Sequence, residues 1–414
     1  MTHSGDPYQA LRYPEFRNFL GGTVALSMAT QVQTLAMGWQ VFQITRDPLS
    51  LGLIGLAEAV PFLSLALVGG HSADRMDRRR LSLLALGALL LGALLLLALN
   101  LGRLPRFAWP FYLIQGLSGV GRAFYRPASQ ALSTELVPLE AYQNAATWRS
   151  SSMQLAMVLG PALGGLILGF ASAAWAYLAE ALLMGSALAA MLRVAPRPRP
   201  PGPASTLPGS SMLHSMGEGV RFVFRHQLLL GSMALDLFAV LFGGAPALLP
   251  VFASTILKVG PQGFGLLRTA PAAGSVLMGL WLAHHPPRRR AGLVLLGCVA
   301  GFGLCWIAFA LSTWFLPSLL LLALSGALDN VSVVLRNTLL QTRTPPEMMG
   351  RVQAVGGFFI SSSNELGAFE SGLAAKLLGV VPSVVAGGLM TLGVVGATGW
   401  KAPELRKLEK IFPW

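Results

Sequence analysis

The chain has 414 residues, of which 54% are hydrophobic and only 11% are Asp, Glu, Lys or Arg. Soluble domains carry about 25% charged residues, so a globular domain wrapped in water is excluded. The net charge of +13 would suit nucleic acid, but its placement along the chain assigns it to membrane topology instead.

The first apolar run, 16–44, is too long for the core of a cleavable signal peptide and reads as a segment that stays in the membrane. About 20 mostly apolar residues, at about 1.5 Å each, cross a bilayer as a helix. Eleven further segments meet that length: 50–70, 81–102, 108–133, 144–169, 173–192, 228–257, 262–283, 291–312, 314–336, 352–378 and 381–400. The 47 Gly and 27 Pro fit such spans, where neighbouring helices satisfy freed backbone groups. Cys298 and Cys305 lie in one apolar run, roughly 10 Å apart by helical rise, which is too far for a disulfide.

Between the sixth and seventh segments lies the longest interruption, 193–227. It opens with PRPRPPGPASTLPGSS, a Pro-rich flexible linker. In its second part Met216, Val220 and Phe224 alternate with Glu218, Arg221 and Arg225, the pattern of an amphipathic helix on a membrane surface. The expected organisation is an N-terminal half 1–192, a linker and amphipathic helix 193–227, a C-terminal half 228–400 and a tail 401–414.

The connections alternate in charge. One side carries Arg75, Arg78, Arg79, Arg80, Arg193, Arg197, Arg199, Arg221, Arg225, Arg288, Arg289, Arg290, Arg343 and Arg351, with Lys401, Arg406, Lys407 and Lys410 in the tail. The other side has only Arg46, Arg103, Arg106 and Lys258. Positive charge stays on the cytoplasmic face, so both termini are expected there, and nucleic acid is not an expected partner.

The halves resemble each other. Pro138 and Glu140 correspond to Pro345 and Glu347 at an offset of 207 residues, and the same offset carries Gly160 onto Gly367 and Gly165 onto Gly372. Arg78–Arg80 precede the third segment as 288–290 precede the ninth. The expected fold class is therefore an all-α membrane protein of twelve transmembrane helices in two pseudo-symmetric six-helix bundles, an arrangement known in transporters.

The loop after the second segment reads GGHSADRMDRRR, residues 69–80. Gly69 or Gly70, Ala73, Asp74, Arg75, Arg78 and Arg79 resemble the signature between spans 2 and 3 of the major facilitator superfamily. Asp77 stands where that signature has a Gly. The resemblance implies that Asp74 docks near the start of span 11 and locks the outward-open state. It also implies that Arg78 pairs with a carboxylate at the end of span 4, where Glu135 is the candidate. Helix dipoles and arginine–carboxylate bonds supply the physics of such a gate. A solvated basic turn would show the same charges without that role.

In the fifth segment, Gly160-Pro161-Ala162-Leu163-Gly164-Gly165 is similar to the Gly-Pro-x-x-Gly-Gly element of the superfamily's antiporters. Small residues let helices approach, and the internal proline removes a backbone bond, so the element serves either export or plain packing. The superfamily's drug–proton antiporters carry an Arg ahead of a Gln-Gly pair in span 4. Here Gln115-Gly116 are preceded by Tyr112, with Arg122 and Arg126 deeper. The stretches 124–138 and 339–352 are most similar to the branch containing the enterobactin exporter and macrolide-efflux-like proteins.

A phosphate-binding Gly-x-x-x-x-Gly-Lys loop and a His-Glu-x-x-His zinc helix are both missing, so no cofactor or metal is expected. Carboxylates within apolar segments carry the remaining signal, because a charge at the bilayer centre costs about 2.5–3.5 kcal/mol. Glu58, Asp236 and Glu365 lie near mid-depth and are the proton-coupling candidates. Glu370, five residues beyond Glu365 and so about 140° round the helix, is either solvated or paired with Lys376. Asp329 stands seven residues before Arg336, where an intrahelical ion pair is the plain alternative to a cavity role. Glu180 is either bonded between helices or exposed to the cavity. Arg122 is the candidate counter-charge, and Tyr112, Asp329, Glu370 and Glu180 complete the candidate cavity set.

The expected function is a secondary exporter of amphiphilic, drug- or siderophore-like molecules, coupled to protons by alternating access in a bacterial plasma membrane. Uptake symport or facilitation by the same fold is the near alternative. A lipid transporter or an intramembrane enzyme is the remote one, since no nucleophile or acid–base constellation stands out. The partners expected are a small-molecule substrate, protons and the lipid bilayer.

Overall fold

The computed structural model describes residues 6–102, 107–196, 209–243, 245–285 and 290–409, apart from the side chains of 209–216, 346, 354, 358, 361 and 365. Arg103, Arg106, the linker from Arg197, Arg288, Arg289 and Lys410 thus lie outside the described residues, as does the side chain of Glu365.

The described chain is helical. In order it forms α1 (Pro14–Thr45), α2 (Leu49–Arg75), α3 (Arg78–Leu101), α4 (Trp109–Ser133), α5 (Tyr142–Phe170), α6 (Ala173–Leu192) and α7 (Gly209–Arg225). There follow α8 (Gln227–Gly243), α9 (Leu249–Val251), α10 (Gly260–His284), α11 (Ala291–Leu311) and α12 (Phe315–Arg343). The last three are α13 (Pro346–Leu378), α14 (Val380–Lys401) and α15 (Pro403–Arg406). Several helix ends have a local cause. Proline opens α1 and α13, where its missing N–H costs nothing. Asp77 caps α3, its carboxylate accepting from the backbone N–H groups of Arg79 at 2.8 Å and Arg80 at 3.1 Å. The departure from the signature glycine at that position is thus the residue that begins the next helix. Gly379, at φ +92°, turns the chain from α13 into α14 in a conformation that suits glycine.

The expectation of twelve transmembrane helices in two six-helix bundles is corrected. Among the described residues, nine helical stretches are long and apolar enough to cross a membrane. The segments read as the first, fourth and eleventh spans form the long helices α1, α4 and α13 but fall outside that class. The reason is composition. Gln31, Gln33, Thr34 and Gln40 dilute α1, Gln115, Arg122, Arg126 and Gln130 dilute α4, and Gln353, Asn364, Glu365 and Glu370 dilute α13. Those three meet the length of a span but not its apolarity. The stretch Gln227–Ile256, which covers the seventh expected segment, is also not one rod. It breaks after α8, passes a 3-10 turn at Pro246–Leu248, and closes with a wider π turn over Phe252–Ile256.

The chain divides into two compact units. The first takes in the described residues of Met1–Arg46, Leu53–Ala204 and Gly260–Thr269. In it α1 packs on α5 and α6, and α3 packs on α4 and α6, around a core that includes Phe16, Phe19, Leu86 and Met184. The second takes in those of Asp47–Gly52, Ser205–Val259 and Ala270–Trp414. In it α11 packs on α12 and α14, and α8 on α13 and α14, around Leu235, Leu295, Leu335 and Leu405. The amphipathic segment of the linker is the helix α7, which lays Val223 against Val352 and Val355 of α13. At the end of the second unit the chain folds back: the carbonyls of Leu408 and Glu409 accept from the backbone N–H groups of Gly292 and Ala291 at 3.1 and 3.3 Å.

In lipid, apolar contact between helices brings no hydrophobic gain, so close approach and hydrogen bonding hold the bundle. The same device occurs in each unit. A Cβ on Gly119 of α4 would run into the Glu58 carbonyl and Pro61 of α2, and one on Gly326 of α12 would run into the Pro271 carbonyl of α10. Gly119 and Gly326 are 207 residues apart, the offset already seen between the halves of the sequence. Both meet the backbone where the partner helix carries an internal proline, Pro61 or Pro271.

Candidate functional site

The close approach at Gly119 positions the polar centre of the first unit. Glu58 of α2 is 9% exposed. Its Oε1 forms an ion pair with Arg122 of α4, and its Oε2 accepts from Gln115 Nε2 at 2.5 Å. Gln115 and Arg122 are seven residues apart, two turns on one face of α4, so they present both donors to a single carboxylate. Among the described residues, one buried guanidinium arm, Arg122 Nη2, has no hydrogen-bond partner, and neither has Gln115 Oε1. Around them, Gln33 Nε2 of α1 donates to Ser118 Oγ at 3.4 Å. Tyr177 Oη of α6 donates to Gln40 Oε1 at 2.9 Å, and Gln40 Nε2 donates to Asn100 Oδ1 at 2.5 Å. Glu180, one turn beyond Tyr177, is fully buried, and neither of its carboxylate oxygens has a hydrogen-bond partner among the described residues.

The second unit has its own buried pair. Asp236 of α8 forms an ion pair with Arg336 of α12, with side-chain exposures of 11% and 12%. Arg336 Nε also donates to the Ser332 carbonyl at 3.4 Å. The alternative pairing of Arg336 with Asp329 does not occur: among the described residues Asp329 makes no hydrogen bond or ion pair. Its neighbour Asn330 donates to Ser275 Oγ of α10 at 2.9 Å. Removing one partner of a buried pair strands the other, so each pair ties two helices together conditionally on its charge state.

The remaining candidates separate. Lys376 does not take Glu370; its Nζ lies 2.8 Å from Asp47 Oδ2, and Glu370 makes no hydrogen bond or ion pair among the described residues. The bond from Lys376, aided by the backbone N–H of Leu49, holds the Asp47 carboxyl below the ordinary value of 3.8. Tyr112 is half-buried on α4, and Arg126 lies over the Phe62 ring, 5.4 Å from its centre. Glu365 falls on α13, but its side chain is outside the described residues.

The loop signature places Arg78 Nη1 2.5 Å from Glu135 Oε1, with a second bond to the Ala131 carbonyl at 3.4 Å. Arg79 donates to the Leu192 carbonyl at 2.9 Å. Asp74 is exposed, with no hydrogen bond or ion pair among the described residues, and Arg75 is exposed at the end of α2, where Gly70 is half-buried. The neighbouring Gly69 is the tight one, set against the Ala123 carbonyl of α4. In α5, Gly160 and Gly164 bring the helix onto Gln31 and Leu35 of α1, on either side of the internal Pro161. Gly165 meets Gly265 of α10, where a Cβ would sit 2.6 Å from the glycine's Cα.

Sequence reasoning missed Gln33, Gln40, Tyr177 and, as the partner of Asp236, Arg336. The Gln residues break the apolar runs visibly. The apolar segment 314–336 ends at Arg336, whereas α12 continues to Arg343 and leaves it two turns inside.

A multi-pass all-helical bundle with charged residues paired between its helices is the build of a membrane carrier. The model of the Major Facilitator Superfamily matches residues 19–368, and the chain belongs to that family. It is 28% identical to the enterobactin exporter EntS of Salmonella paratyphi A over 410 residues, covering 97% of this chain and 95% of that one. Against the exporters of the same name from Salmonella typhimurium and Escherichia coli O81, identity is 28% over 387 residues, with 92% and 91% covered. Among solved structures, a D-xylose–proton symporter matches at a TM-score of 0.72 with 13% identity, covering 95% of this chain and 99% of that one. A POT family transporter in complex with 5-aminolevulinic acid matches at 0.72 with 11% identity, covering 94% and 96%. These structural likenesses concern the fold. The chain is a secondary-active transporter of small molecules in a bacterial-type membrane.

Proposed function

We propose that the protein exports amphiphilic, drug- or siderophore-like molecules from the cytoplasm in exchange for protons. The whole-length similarity to proteins named as enterobactin exporters carries this reading of direction. The buried pairs Glu58–Arg122 and Asp236–Arg336 support coupling, because a carboxylate that gains a proton releases its arginine and alters the relative stability of two states. Glu58 and Asp236 are the coupling groups on this reading, with Glu365 the third candidate. The gate role of Asp74, Arg78 and Glu135, and the export role of Gly160, Pro161, Gly164 and Gly165, belong to the same proposal. Both termini face the cytoplasm, on the side of the basic connections.

The test uses inverted vesicles with an acidic interior and a quenched pH dye. A catecholate siderophore, a macrolide or a lipophilic cation added outside should collapse the gradient with the wild type and not with Asp236→Asn. Gradient-free, downhill movement of the same compound would refute proton antiport. Labelling of a cysteine placed in the tail only in inverted vesicles supports the orientation, and labelling in intact cells refutes it.

A further inference from the structure

Glu180 is the fully buried acidic group of the first unit, and the arrangement leaves it unanswered. Among the described residues, both its carboxylate oxygens lack a hydrogen-bond partner. An ionised carboxylate in such a place is expensive unless it is paired and hydrogen-bonded. The surroundings narrow what can answer it. Helices α1, α3 and α5 pack on α6. Their charged residues are Glu15 and Arg17 in the opening turn of α1, Arg78–Arg80 in the opening turn of α3, and Arg149 in the first third of α5. Glu180 lies well inside α6, roughly 10 Å from its start at Ala173. Tyr177 is the other titratable group beside it, and its hydroxyl is committed to Gln40. The cation whose charge acts on Glu180 is Arg122. That arginine spends one arm on Glu58 and keeps the other, Nη2, buried and unbonded.

We propose that Glu180 is a proton-binding group and that Arg122 is shared between two carboxylates, Glu58 on α2 and Glu180 on α6. With a proton on Glu180, Arg122 bonds Glu58 and ties α4 to α2, which is the arrangement described. When Glu180 releases that proton to water, its two oxygens draw the free arm of Arg122, α4 is tied to α6, and Glu58 is left to take up a proton or to keep only Gln115. One positive charge thus serves two negative sites in turn, and proton occupancy selects which helix pair is locked. The inference rests on the proton-coupled reading above for its purpose in transport, but the proton site itself does not need a substrate to be seen.

The experiment is infrared difference spectroscopy of the purified full chain in liposomes, titrated from acid to alkaline pH with no compound added. The carboxylic-acid C=O band of a buried protonated acid should disappear as pH rises. It should be absent in Glu180→Gln, displaced in pH midpoint in Arg122→Gln, restored in Glu180→Asp, and unchanged in Glu140→Gln, an exposed control. A band that persists in Glu180→Gln, or no titrating band in the wild type, overturns the proposal. Proton flux in the vesicle assay separates the two readings. If Glu180→Gln loses the band while wild-type vesicles show no substrate-driven flux, antiport fails and the site stands. If wild-type flux survives unchanged in Glu180→Gln and the band persists there, antiport stands and the site fails.

Discussion

Gly165 and Gly265 meet backbone to backbone: a Cβ on Gly165 would lie 2.6 Å from the Gly265 Cα, and one on Gly265 would lie 2.7 Å from the Gly165 Cα. Gly372, the residue 207 positions after Gly165, repeats the contact more loosely, its Cβ falling 3.0 Å from the Cα of Gly52. Neither pair has a flexible side chain that could yield.

Gly165→Ala should therefore destabilise the protein by about 1–3 kcal/mol, the usual range for overpacking, and lower transport. Gly372→Ala should cost less. Gly185→Ala, where nothing lies within 4 Å, should be neutral or slightly stabilising. Thermal unfolding followed by size-exclusion of detergent-solubilised protein ranks the three. Equal effects at Gly165 and Gly185 would refute the contact.

The pair Asp236–Arg336 is almost wholly enclosed, with exposures of 11% and 12%. Asp236→Ala should cost about 3–5 kcal/mol by stranding the guanidinium. Adding Arg336→Leu should recover much of that stability without recovering coupled transport. Full transport in the double variant would show that the pair only braces α8 against α12.

Arg78 and Glu135 are 22% and 37% exposed, so their bond contributes only about 0–1 kcal/mol to folding. Arg78→Glu should leave the melting temperature nearly unchanged while slowing transport. The charge swap Arg78→Glu with Glu135→Arg should restore the rate. Failure of the swap would assign the slower rate to the lost bond with the Ala131 carbonyl.

Asp47 offers a pH test outside the spans. Its folded value is depressed by the bond from Lys376, so the contact contributes fully above the ordinary 3.8 and is lost only as pH falls through the lower folded value. Between pH 5 and 8 the contact should be insensitive to pH. A cysteine at Ser50, which is 4% exposed, should react slowly with maleimide across that range on a background lacking Cys298 and Cys305. Asp47→Asn should raise the rate severalfold at neutral pH. A rate that climbs between pH 7 and 5 in the parent would contradict the assignment.

How much of this was legible follows from what is local in sequence. The helices were, because each needs only a run of apolar residues bounded by Pro, Gly or charge: α6 spans Ala173–Leu192, the residues read from the chain. The pairing of Arg78 with Glu135 came through the resemblance of a short motif. A length test alone overcounts spans at α1, α4 and α13, whose polar residues lie on helices long enough to pass it. Long-range partners were not legible. Arg336 has Asp329 seven residues away and Asp236 a hundred, and periodicity favours the near one, whereas packing of α8 on α12 decides for the far one. Lys376 likewise reaches Asp47 rather than Glu370. Glu180 reads as one more acid in an apolar run, and only the three-dimensional neighbourhood leaves it without a bond.

The fold-back of the chain end onto α11 bears on how this protein can be handled. The first amides of a helix need acceptors, and here two of them are met by the carbonyls of Leu408 and Glu409 rather than by a side-chain cap. Leu405, wholly buried, anchors that segment, and a Cβ on Gly292 would strike its carbonyl. Shortening the chain to before Leu405 would therefore fray the start of α11 some hundred residues upstream. A purification tag or fluorescent fusion joined after Glu409 leaves both acceptors in place, whereas one that replaces the last ten residues removes them.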